Sequence, residues 1–215
     1  MISKGQAITI RNRMVSPTAK DRLGRSDWIY EAVRVLGEEG VEAVRVEPVA
    51  KRLGVTKGSF YHHFSDRDEL LLAVLDTWHQ RATSLVIEVV NRHSRRPEER
   101  IRHLLGIVID PTMRERFRFV DVGIREWARR DRRARSMLES MDAERIAYIA
   151  ERLIALGCDE VEAQIRSYLV YSYILGELQI ALTDSYADRQ QRVESCLRRL
   201  VLDLPGVGAV EEFSS

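Results

Sequence analysis

Apolar residues recur along this chain at spacings of three and four, and no stretch alternates apolar and polar over the length of a strand. Ile29, Ala32, Val33 and Leu36 share one helical face, with Ser26 placed to cap the segment, Asp27 in its first turn and Gly40 to end it. Val46, Val49, Ala50 and Leu53 repeat the pattern, and Gly54 follows at once as a residue suited to a left-handed helix end. Thr56 is then placed to cap a further helix through its hydroxyl. Ser65 and Asp68 read as a capping box for a longer helix that runs without a break to Val90, carrying Leu71, Val74, Leu75, Trp78, Leu85, Val86 and Val89.

Beyond a polar break, Pro97 starts a helix with Ile101, Leu104, Leu105 and Val108 on one face, and Asp110-Pro111 interrupts it. Phe117, Val120, Ile124 and Trp127 mark the next, and Ile146, Ile149, Ala150 and Leu153 another, closed by Gly157. Tyr168 to Leu182 is apolar nearly all round, so this helix needs cover on both sides. The last helix brings Val193, Leu197, Leu200, Val201 and Leu204 before Pro205. The pattern predicts an all-α chain of about nine helices.

The segment VEPVAKRLGVTKGSFYHHF, Val46 to Phe64, is two short helices around a tight turn with glycine in it, a helix-turn-helix. If Val55, Phe60 and Phe64 face inward, then Thr56, Lys57, Ser59, Tyr61 and His62 face outward. Gly58 keeps the surface shallow enough for close approach. A cation, hydroxyls, a phenol and an imidazole suit phosphate oxygens and base edges in a major groove. No carboxylate stands among them to complete an acid–base pair.

LGVTKGSFYHHF followed by SDRDELLLAVL closely resembles the recognition helix and fourth helix of the tetracycline-repressor (TetR) family of bacterial regulators, over Arg25 to Leu75. The resemblance implies that Lys57 and Tyr61 hold phosphates while Thr56, Ser59 and His62 touch phosphates or base edges. Arg67 stands where the family usually has a lysine. Arg45 departs from the family's usual Ser or Thr cap before the second helix, but its guanidinium has the reach for a phosphate. Pro48 fits the first turn, where its missing N–H costs nothing.

The resemblance further implies a homodimer through the last two helices, a double-stranded DNA operator of near-palindromic sequence, and a small-molecule effector that releases a repressor. Trp78, Phe117, Trp127 and Tyr171 are candidate lining for the effector pocket. The expected organisation is an N-terminal segment 1–24, a helix-turn-helix domain 25–68 and an effector-binding and dimerisation domain 69–215.

Charge supports the division only modestly. The chain carries 34 Lys plus Arg against 33 Asp plus Glu, but Met1 to Phe64 holds 11 against 7, so a basic N-terminal part of +4 leaves −3 for the remainder of a +1 chain. Residues 1–24 read either as a flexible tail or as a basic arm reaching phosphate, and Met14 offers an alternative start. RRDRRAR, Arg129 to Arg135, reads as a solvated loop and helix start.

Cys158 and Cys196 form no metal-binding spacing, His62 and His63 point about 100° apart on a helix, and His79, His93 and His103 lack paired ligands. No metal, cofactor or catalytic residue is expected, and no segment reads as a signal peptide or membrane span, so a cytoplasmic location is expected. A nonspecific architectural DNA binder and a helical enzyme or carrier are the alternative readings.

Overall fold

The computed structural model describes residues 23–180 and 183–203, the side chains of residues 115–117 excepted. Among them the elements are helical throughout, as the pattern predicts: α1 Arg25–Glu39, a 3-10 turn Val41–Ala43, α2 Val46–Leu53, α3 Lys57–Phe60, α4 Arg67–His79, α5 Leu85–His93, α6 Pro97–Ile109, α7 Pro111–Ala128, α8 Arg132–Ala155, α9 Glu160–Gln179 and α10 Tyr186–Leu197. A π-helical segment, Gln80–Ser84, joins α4 to α5 in one continuous rod, so the described residues hold nine separate helical rods.

The chain divides into two compact units. The head unit comprises residues 23–85 and Arg116–Met141, and the body unit Val86–Glu115 with 142–180 and 183–203. The compact unit holding the helix-turn-helix therefore extends well past residue 68: α4 packs along α1, and the later part of α7 joins the same core. Gly123 shows how closely that part approaches α1, since a Cβ there would lie 2.8 Å from the Leu36 carbonyl oxygen.

The head core is aromatic. Trp28, Phe60 and Phe64 are buried, with the Trp28 and Phe60 rings edge to face at 5.3 Å and Phe60 stacked on Phe64 at 5.3 Å. Val35 joins this core, and Val33 is only half-buried. Arg52 closes the outer rim by pairing with Glu38 at 2.7 Å, Glu31 at 3.4 Å and Glu39.

Helix starts differ from the sequence expectation at three places. α1 begins at Arg25 because Asp27 reaches back to accept the Gly24 N–H at 2.7 Å, which leaves Ser26 inside the first turn and not at the cap. A carboxylate at that position carries charge as well as reach, and both favour it over a hydroxyl at a helix N-terminus. At α4 the cap is Asp66, which accepts from the Glu69 N–H at 2.8 Å, while the Ser65 N–H and hydroxyl both donate to Glu69. The cap thus stands one residue later than Ser65, and Glu69 reaches back to Ser65 and not to the Asp66 N–H. Thr56 does occupy the position before α3, but its hydroxyl accepts no capping hydrogen bond.

In the body unit, α6 packs against α10 and α9 through Ile101, Leu105, Val193 and Leu197. Pro97 opens α6 as expected, and the Asp110 carboxylate caps the next helix by accepting from the Thr112 and Met113 N–H groups. α9 is not buried all round. Ala163, Val170, Tyr171, Ile174 and Leu178 face inward, and Val161, Ile165, Tyr168 and Leu169 lie exposed along another face. Leu182, Leu204 and Pro205, together with the N-terminal arm up to residue 22, lie outside the described residues.

Candidate nucleic-acid interface

The turn between α2 and α3 is built by Gly54, whose φ of 69° and ψ of 28° put it in the left-handed region. Its N–H closes the end of α2 on the Lys51 carbonyl, and the Val55 N–H returns to the Ala50 carbonyl at 3.0 Å. α3 is a single turn of four residues, shorter than the sequence suggests, and Tyr61 to His63 continue as turns held by the His63 and Phe64 N–H groups on the Phe60 carbonyl. Phe60 and Phe64 anchor this segment from beneath, and Val55 is only half-buried.

That anchoring decides what faces outward. Arg45, Thr56, Lys57, Gly58, Tyr61 and His62 are exposed and Ser59 is half-exposed, as the spacing predicts. Tyr61 leaves 55% of its surface open although its ring meets Phe60 edge to face, so the phenol is braced at its base and presented at its tip.

Two of the candidate cations are engaged within the head. Lys57 Nζ lies 2.5 Å from Glu47 Oε1, an exposed pair in which the lysine holds the carboxyl below its usual range and is itself raised by it. Arg67 is committed more firmly. Its Nε donates to the Val44 carbonyl at 2.6 Å and Nη2 to the Val41 carbonyl at 2.8 Å, tying the start of α4 to the 3-10 turn. The resemblance places Arg67 among the DNA-binding residues; the structure turns two of its donors inward. Arg25 is a third such brace, with its guanidinium 4.6 Å above the Phe64 ring and 3.1 Å from Glu69. Trp28, buried against Phe60, escapes the periodicity because it falls one position before the set that marks α1.

The candidate pocket residues lie elsewhere. Trp78 and Trp127 are buried in the head unit, where the Trp127 indole bonds to Asp131. Tyr171 belongs to the body unit, its hydroxyl donating to Asp142 at 2.6 Å and accepting from Arg145 at 3.0 Å, and burial pushes it up to about 12. The Phe117 side chain lies outside the described residues.

A cavity of about 310 Å³ opens instead between α6 and α10 of the body unit, lined by His93, Arg102, His103, Tyr186 and Gln190 among others. There the His93 and His103 rings stack at 4.0 Å, and buried His103 Nε2 has no hydrogen-bond partner. Burial and the neighbouring His93 push His103 down to about 4. Among the described residues no group of His, Cys, Asp and Glu could hold a metal ion, and no helix is long and apolar enough to cross a membrane.

A one-turn outward helix set behind a left-handed glycine turn, on a small aromatic core, defines a helix-turn-helix DNA-binding head. Comparison shows what this head is similar to. Residues 29–74 match the model described as bacterial regulatory proteins, tetR family. The transcriptional regulator PksA of Bacillus subtilis (strain 168) is 31% identical over 107 residues, which is 49% of this chain and 51% of that protein. The match thus spans about half the relative's length.

Two solved structures share the fold. A TetR-family transcriptional regulator from Streptomyces coelicolor, SCO4454, superposes with a TM-score of 0.67 at 17% identity, over 94% of this chain and 97% of that one. A transcriptional regulator from Saccharomonospora viridis, in complex with choline, gives 0.65 at 17% identity, over 80% and 93%. The tetR-family match is thus to residues 29–74, the segment that carries the helix-turn-helix, and the rest of the chain shares the fold of the two solved regulators.

Proposed function

We propose that this chain is a ligand-responsive repressor that binds a near-palindromic operator as a homodimer. The observation that carries the reading is the exposed set Arg45, Thr56, Lys57, Gly58, Tyr61 and His62 on a rigid aromatic base. Lys57, Tyr61 and Arg45 hold phosphates and set the register, while Ser59 and His62 read base edges and Thr56 serves either purpose. Two heads bind successive major grooves about 34–36 Å apart.

The second copy docks on α9 and α10. Val161, Ile165, Tyr168 and Leu169 form a continuous apolar face on α9, exposed in one chain and suited to burial in a four-helix bundle. The effector is a small molecule in the body unit. Its site is the cavity between α6 and α10, because Trp78, Trp127 and Tyr171 are consumed in packing and hydrogen bonds. A relative of this fold holds choline, which is consistent with small polar effectors. The effector must bind the non-operator conformer more tightly, or it shifts nothing.

Footprinting on the DNA upstream of the gene, repeated over a salt series, tests this function. One discrete protected palindrome is the expected result. Diffuse protection that disappears steeply with salt would instead mean phosphate binding without readout.

A further inference from the structure

One carboxylate stands inside the DNA-facing surface. Glu47, in the first turn of α2, is 63% exposed, lies two residues from the exposed Arg45, and holds the Lys57 ammonium at 2.5 Å across the helix-turn-helix. It takes no part in the aromatic core, and its local role is that of a carboxylate in the first turn of a helix, where it accepts its own backbone N–H. The Glu47–Lys57 pair is exposed at both ends, and the aromatic base is held by Trp28, Phe60, Phe64, Arg25 and Arg67 without it. Exposed ion pairs contribute little to stability in any case.

We infer that Glu47 is an intramolecular competitor for DNA phosphate: it occupies Lys57 in the unbound head, and a phosphate must displace it before Lys57 engages the backbone. A phosphate oxygen and a carboxylate oxygen make the same kind of charge-assisted contact with an ammonium, so one lysine exchanges one for the other. The exchange lowers affinity for every sequence. Nonspecific binding rests almost wholly on phosphate contacts. Glu47 thus makes release from non-operator DNA easier, and because the same exchange occurs on the operator it leaves the ratio of the two affinities unchanged.

The inference rests on the reading that Lys57 meets phosphate, and one set of variants separates the two. Affinity for a 40-base-pair duplex of random sequence is measured by fluorescence anisotropy for the full-length protein, for E47Q, for K57M and for the double variant, with circular dichroism confirming unchanged helicity.

The expected result is that E47Q tightens binding by roughly three- to tenfold, steepens the salt dependence by about one ion per head, and loses this gain in the K57M background. A gain that persists without Lys57 means that Glu47 repels the DNA directly, which overturns the exchange. No change, or weaker binding by E47Q, overturns it as well. If K57M alone binds random DNA as tightly as the unaltered protein, it is the phosphate role of Lys57 that fails.

Discussion

Tyr61 and Lys57 differ from Ser59 and His62 in what they can recognise. A phenol braced on Phe60 and an ammonium on the first residue of α3 present charge or a single hydroxyl, which every phosphate satisfies equally. Lys57→Ala and Tyr61→Ala should therefore weaken binding to operator and random DNA alike, whereas Ser59→Ala and His62→Ala should change which duplexes a selection from random sequence returns. Equal losses on both duplexes for all four variants would remove that division.

His103 supplies a second residue-scale test. Its folded value, about 4, lies below that of an exposed imidazole, so the unfolded chain binds the proton more readily. The stability it contributes is complete above about pH 6.5 and is lost as pH falls from there towards 4. His103→Phe should flatten the decline of the melting temperature over that window; an unchanged slope would mean that other groups carry it.

Among elements, the head is held by its ends more than by helix length, since α3 is a single turn. Arg67 shows what replaces length: by bonding the Val41 and Val44 carbonyls it fixes α4 to the turn that precedes α2. Arg67→Ala should cost about 1–2 kcal/mol in urea unfolding. A variant that kept full stability and lost only salt-dependent DNA affinity would make Arg67 a DNA contact instead. Gly123→Ala tests the packing of α7 on α1. The added methyl would meet the Leu36 carbonyl at 2.8 Å, which calls for a backbone shift and a loss of about 1–3 kcal/mol.

The rod from Arg67 to His93 was legible as one long helix because its apolar face continues, but its π segment was not. A widened turn changes the phase of the residues after it: Val86 and Val90 become the buried valines of α5, and Val89 turns partly outward. Periodicity counted at 3.6 residues per turn has no means of registering one turn of a different width. The shifted caps have a similar origin. Ser26, Thr56 and Ser65 have the right chemistry, yet Asp66 caps α4, and α1 starts from Gly24, whose N–H the Asp27 carboxylate accepts.

For the whole molecule, the exposed face of α9 is the feature a single chain does not resolve. Replacing Ile165 and Tyr168 together by Glu should yield a monomer in sedimentation velocity and lose operator binding that depends on two linked heads. A dimer that survived both changes would place the interface elsewhere.

The sequence by itself determined the helical class, the helix-turn-helix and its outward residues, because those rest on local periodicity, a glycine that must be left-handed and aromatic anchors within one short segment. Tertiary structure alone decided which outward cations are already occupied. Glu47 meets Lys57 across ten residues, and Arg67 meets carbonyls more than twenty residues earlier. It also buried Trp78, Trp127 and Tyr171 and opened a cavity beside stacked His93 and His103. The physical reason is common to all of these: a side chain's neighbours within a helix follow from spacing, but its partners across helices depend on how the helices pack.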